Sequence, residues 1–116
     1  MLITQLKPNQ IIIVGTNEKG EHYGGAAAQA HAYFGLEWGI SEGLSGPTYA
    51  FPTLDKNMKQ RTLEEIAKSR DLLYECSRSN PDKEFLLTAV GTGIAGFSPE
   101  VIGELFKNLP SNIKRV

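Results

Sequence analysis

At 116 residues, with 41% apolar side chains, the chain is long enough to bury a core without disulfide or metal support, and it reads as one domain over residues 1–116. Its 12 basic and 13 acidic residues are mixed along the chain and leave a formal net charge of -1. A protein that grips a nucleic-acid backbone carries a basic excess, so polymeric DNA and RNA are not expected partners. The lone Cys76 has no internal disulfide partner, no Cys/His pairs stand at metal-ligand spacing, and nothing approaches the roughly 20 apolar residues of a membrane span. Met1 to Pro8 lacks the long apolar region of a signal peptide. The expectations are therefore a cytoplasmic protein with no metal, no cofactor and no membrane partner.

In chain order, Leu2 to Leu6 reads as a short edge strand. Gln10-Ile11-Ile12-Ile13-Val14-Gly15 follows; its consecutive β-branched residues without polar alternation predict a central strand covered on both faces. It runs into the polar loop Thr16 to Gly25 and then into Ala26 to Phe34, where alanines predict a thin helix ended by Gly35. Leu36 to Pro52, interrupted by Gly39, Gly43 and Gly46, is expected to be irregular with short extended pieces. Tyr49 to Thr53 predicts a strand ending at proline, and Leu54 to Arg61 a polar loop. Thr62-Leu63-Glu64-Glu65 matches a capping box and opens a helix to about Ser79, with Leu63, Ile66, Ala67, Leu73 and Tyr74 on its apolar face. Phe85 to Val90 is a further strand. Ser98-Pro99 starts a helix to about Asn108 with Val101, Ile102, Leu105 and Phe106 inward, and Ile113 to Val116 is an edge strand. Strands separated by helices predict an α/β fold of three layers, with helices on both faces of a mostly parallel or mixed sheet.

In such a sheet the loops leaving parallel strands emerge at one edge and form a crevice there. Gly15 to Gly25, Thr53 to Arg61 and Gly91 to Ser98 are those loops, and two of them are rich in glycine and open helices. Glycines leave amides uncovered, and a helix N-terminus adds further free donors, so phosphate is the guest that this pattern predicts. Asn17 is the polar candidate for a ribose hydroxyl or for closing an Asx turn. His22 is a candidate acid or base, or simply an exposed loop residue. Asp55, Lys56 and Arg61 are candidates for holding water, phosphate or a charged substrate edge. Tyr23 and Phe97 are the aromatic candidates for stacking on a base, whereas Tyr49 and Phe51 read as core, and His31 and Cys76 as structural helix residues. Trp38, with Ile40 and Leu44, suits a core or a subunit contact, so a homo-oligomer stays open.

These residues carry a resemblance. Gly15-Thr16-Asn17, Gly20, Gly24-Gly25-Ala26-Ala27 and Gly91-Thr92-Gly93-Ile94-Ala95-Gly96-Phe97 resemble a shortened macro-domain pattern, in which an asparagine precedes a Gly-Gly-Gly-Val loop and a Ser-Thr-Gly-Ile-Tyr-Gly loop wraps the diphosphate of ADP-ribose. The resemblance implies a macro-domain-like fold, Asn17 on the ribose side, Gly24 and Gly25 in the first loop, and Thr92, Gly93, Ile94, Ala95, Gly96 and Phe97 in the second. With Gly15, Thr16, His22, Tyr23, Ala26, Thr53, Asp55, Arg61 and Gly91 these make up the expected ligand-binding set. The Gly-Asp-Ile-Thr segment whose aspartate reads adenine in macro domains does not follow the first strand, and Ala95 replaces an aromatic. The whole chain also resembles a family of small phage and bacterial proteins, through Glu42-Gly43-Leu44-Ser45-Gly46-Pro47-Thr48-Tyr49-Ala50-Phe51-Pro52-Thr53-Leu54-Asp55.

Three functions follow as expectations. The first is a binding module for ADP-ribose or a related NAD-derived or cyclic nucleotide; if phage-encoded, it is a sponge for a defence signal in the host cytoplasm. The second is a hydrolase of ADP-ribose esters or phosphates, with Asn17 orienting water or substrate and His22 or Asp55 as base. The third is a non-catalytic interaction protein whose glycines serve packing alone.

Overall fold

A computed structural model describes residues 5–116. In chain order its elements are β1 (Gln10–Asn17), α1 (Gly25–Tyr33), β2 (Gly43–Ser45), β3 (Thr48–Leu54), α2 (Leu63–Ser79), β4 (Glu84–Leu87), α3 (Pro99–Leu105) and β5 (Ile113–Arg115). The strands form one sheet in the order β2-β3-β1-β4-β5. β1 pairs parallel with both β3 and β4, and β5 pairs parallel with β4, while β2 returns antiparallel along β3. The sheet is therefore mixed, with β1 at its centre.

The central position follows from the composition of β1. A strand sends alternate side chains to opposite faces, and here both faces are covered. Ile11 and Ile13 join Phe51, Ile66, Leu73, Phe85, Ile102 and Phe106 in the cluster under α2 and α3. Ile12 and Val14 join Ala27, Ala30, Leu36 and Ala50 in the smaller cluster under α1. Large aromatic rings fill the first layer, and the alanines of α1 let its backbone lie close to the sheet in the second. Helix α2 starts at the expected capping box: the Thr62 side chain accepts from Glu65 N, and the Glu65 carboxylate accepts from Thr62 N. Helix α3 starts at Ser98, whose side chain accepts from Val101 N, with Pro99 in the first turn.

Several expectations are corrected. β3 does not end at Pro52; it continues to Leu54, with a register shift at a bulge between Thr16 and Asn17. Ile12 N donates to Pro47 O, so odd-numbered residues of β3 bond β1, and Pro52 faces the β2 side, where pairing ends at Ala50 and a proline costs no ladder bond. β4 stops at Leu87, where the Thr88 hydroxyl donates to Ile13 O at 2.7 Å and occupies the acceptor that would extend the ladder. Leu63 and Val101, each in the first turn of its helix, are exposed rather than inward-facing. Tyr49 and Phe51 are core as expected, but Trp38 is 46% exposed and belongs to neither cluster. Of the edge strand expected over 2–6, residues 2–4 lie outside the described residues, and Gln5 and Leu6 are not in a strand.

Candidate functional site

The carboxyl ends of β1, β3 and β4 lie side by side, so the chain segments leaving them meet at one edge of the sheet. Between them lies a hollow of about 670 Å³. One wall is Gly15 to Asn17 at the end of β1 together with Tyr23 to Ala27 at the start of α1; the other is Thr88 to Ala95; Thr53, Leu54 and Met58 close the third side. The glycine stretches that lie far apart in sequence thus face one space.

Local chemistry shapes each wall. Gly25 has φ +63, a left-handed conformation open to glycine, and it swings the chain from the extended Gly24 into α1. Helix α1 has no side-chain cap, so among the described residues the amides of Gly25, Ala26 and Ala27 donate to no acceptor. On the opposite wall Gly91 has φ +80, and a Cβ there would lie 3.0 Å from Ile102 Cδ1. The loop after it closes through Phe97 N to Gly91 O at 2.9 Å and Gly96 N to Gly93 O at 2.9 Å, leaving the amides of Gly93, Ile94 and Ala95 without an acceptor among the described residues. Gln60 Nε2 donates to Ala95 O at 2.8 Å and ties this loop to the segment after β3. Two groups of free N–H dipoles in a concave, mostly apolar space provide for an anion carried on a larger organic body.

No protein-family model matches the chain, and no curated protein does. Among solved structures, the macrodomain of Mycobacterium tuberculosis DarG matches with a TM-score of 0.65 at 17% identity, over 95% of this chain and 88% of that one. The fold is macrodomain-like. A protein of unknown function from Bacteroides thetaiotaomicron is also similar, with a TM-score of 0.62 at 11% identity, over 97% of this chain and 90% of that one.

Within this macrodomain-like frame, Gly15, Thr16, Asn17, Tyr23, Gly24, Gly25, Ala26, Thr53, Gly91, Thr92, Gly93, Ile94 and Ala95 all line the hollow. Tyr23 is 77% exposed and packs edge-on against Trp38, with ring centroids 4.9 Å apart. Asn17 is buried and turned on its own loop: Nδ2 donates to Glu21 O at 2.7 Å, and Oδ1 accepts from Glu21 N at 3.1 Å.

His22, Asp55, Arg61, Gly96 and Phe97 are not among the lining residues. His22 is 3% exposed rather than a surface residue. A carbonyl only accepts, so its Nε2 carries the proton and donates to Glu37 O at 2.9 Å, which leaves a buried Nδ1 without a partner among the described residues. Burial holds its pKa below the usual histidine value; the Glu37 bond opposes this and His31 adds to it. The Asp55 carboxylate accepts from Lys59 N at 3.0 Å and Asn57 N at 2.8 Å, and those amides hold its pKa below the usual value while it closes a turn. Arg61 Nη1 donates to Pro52 O at 2.7 Å and Ser69 Oγ at 3.0 Å, so it pins β3 to α2. Phe97 sits in the core beneath its loop, where it cannot stack on a base, and Gly96 turns the chain toward it.

The hollow also includes residues that the sequence reading passed over, chiefly Glu21, Met58, Thr88 and Val116. For Met58 the signal is an apolar residue flanked on both sides by polar ones, Asn57 and Lys59. For Glu21 the signal lay in its spacing from Asn17, four residues earlier in the same loop.

Proposed function

We propose that the protein binds a phosphorylated nucleoside of the ADP-ribose type, with the diphosphate on the free amides of Gly93 to Ala95 and Gly25 to Ala27 and an aromatic contact from Tyr23. The observation that carries this reading is the facing of two amide-rich glycine walls across one hollow at the carboxyl edge of the sheet. The macrodomain-like fold and the ADP-ribose chemistry implied by the loop motifs support it.

Binding is favoured over turnover because the residues expected to serve as acid or base stand outside the hollow. Neither His22 nor Asp55 lines the hollow; His22 Nε2 donates to Glu37 O, and the Asp55 carboxylate accepts from the amides of its own turn. A site that holds its ligand unchanged suits sequestration of a nucleotide signal. Exposed Trp38 and Leu44 are the residues on which self-association would rest. In a thermal-shift panel of ADP-ribose, NAD, cyclic ADP-ribose isomers and cyclic dinucleotides, the true ligand stabilises the fold by about 2.7 kcal/mol at a hundredfold excess over its dissociation constant. Heating then releases it intact. A panel without any shift contradicts nucleotide binding, and recovery of a cleaved product contradicts sequestration.

A further inference from the structure

The hollow makes a demand that a bare anion does not meet. Its free amides favour negative charge, yet the one charged side chain among its described lining residues is Glu21. The Glu21 carboxylate has no hydrogen-bond donor and no ion-pair partner among the described residues, although the Glu21 main chain is held on both sides by Asn17, at 2.7 Å and 3.1 Å. A ligand in the hollow that reaches this carboxylate takes water from it, and the loss is offset only if the ligand supplies donors in return. Phosphate oxygens supply none and repel it. A pair of neighbouring sugar hydroxyls supplies two, matched to the two oxygens of a carboxylate.

We propose that Glu21 determines the specificity of the hollow by accepting hydrogen bonds from a vicinal diol of the ligand's sugar, restricting the site to sugar-bearing diphosphates and rejecting free pyrophosphate, with Asn17 as the positioning residue that fixes Glu21. This rests on the nucleotide reading above and names what that site selects. Asn17, on this account, acts through Glu21 rather than on the ribose itself.

The test is calorimetric titration of the wild type, Glu21→Gln and Glu21→Ala with ADP-ribose, its inosine analogue and inorganic pyrophosphate, with thermal unfolding to confirm that each variant is folded. Glu21→Ala is expected to weaken ADP-ribose and the inosine analogue alike, by roughly tenfold to a hundredfold, while pyrophosphate binds no worse or more tightly. Glu21→Gln, which keeps an acceptor oxygen, falls between. Asn17→Ala weakens ADP-ribose in the wild type and adds little in the Glu21→Ala background, whereas a merely structural role would add its full effect in both. A loss confined to ADP-ribose and absent with the inosine analogue would assign the donor to the adenine amino group and overturn the diol. Equal ADP-ribose affinity in the wild type and Glu21→Ala overturns the role of Glu21 alone, and a wild type that binds no nucleotide overturns the nucleotide reading with it.

Discussion

Two glycines two positions apart in the same loop do different work, and their substitution separates folding from binding. Gly91 has φ +80, and a Cβ there meets Ile102 at 3.0 Å and Phe97 at 3.3 Å, so Gly91→Ala is expected to cost about 2 kcal/mol in urea unfolding. Gly93 has no atom within 4 Å of an added Cβ and lines the hollow, so Gly93→Val is expected to keep the wild-type midpoint while obstructing the ligand. His22 gives a pH signature at the same scale. Its folded pKa lies below the 6.5 of an unperturbed histidine, so the unfolded chain takes up the proton first. The stability of the neutral form is intact above pH 6.5 and is lost as pH falls from there toward the lower folded pKa. Urea midpoints measured from pH 7.5 downward, at values chosen by the experimenter, should therefore decline less in His22→Gln than in the wild type over that window. Parallel declines in the two proteins would show that His22 titrates as an exposed histidine does.

At the scale of elements, the bulge that carries β3 past Pro52 depends on a side chain from the next segment. Arg61 donates to Pro52 O and to Ser69 Oγ, and its side chain is 10% exposed, so removing it strands buried acceptors between sheet and helix. Arg61→Ala is expected to destabilise the fold by about 2 kcal/mol in chemical denaturation, with little effect on ligand affinity once the protein is folded. A large affinity loss with unchanged stability would return Arg61 to the site. The elements that were legible in the sequence are those whose determinants are local. The capping box at Thr62, the Ser98-Pro99 start and the β-branched run Ile11 to Val14 each name their own structure. What was not legible depends on partners distant in the chain: β4 ends where Thr88 meets Ile13, 75 residues earlier, and the bulge of β3 answers to β1. The polar residues His22, Asp55 and Arg61 drew attention by chemical type, and their backbone partners, invisible in a linear reading, take them out of the hollow.

For the molecule as a whole, the sheet order decides the site. Placing β1 between β3 and β4, all parallel, brings the exits of these strands to one edge and so faces the Gly24-Gly25 turn toward the Gly91 to Ala95 loop. The alternating glycines could be recognised in the sequence as a cradle, but their meeting required the topology. Backbone shape and packing explain Gly25, with its φ of +63, and Gly91, whose missing Cβ makes room for Ile102; they do not explain Gly24 or Gly93, each with open space where a side chain would stand. Calorimetric titration of ADP-ribose into the wild type and into Gly93→Val tests this most directly. One ligand per chain is expected in the wild type, with at least a tenfold weaker affinity, by roughly 1.4 kcal/mol or more, in a Gly93→Val protein of unchanged melting temperature. Equal affinity in the two proteins, or no heat of binding in either, would contradict it.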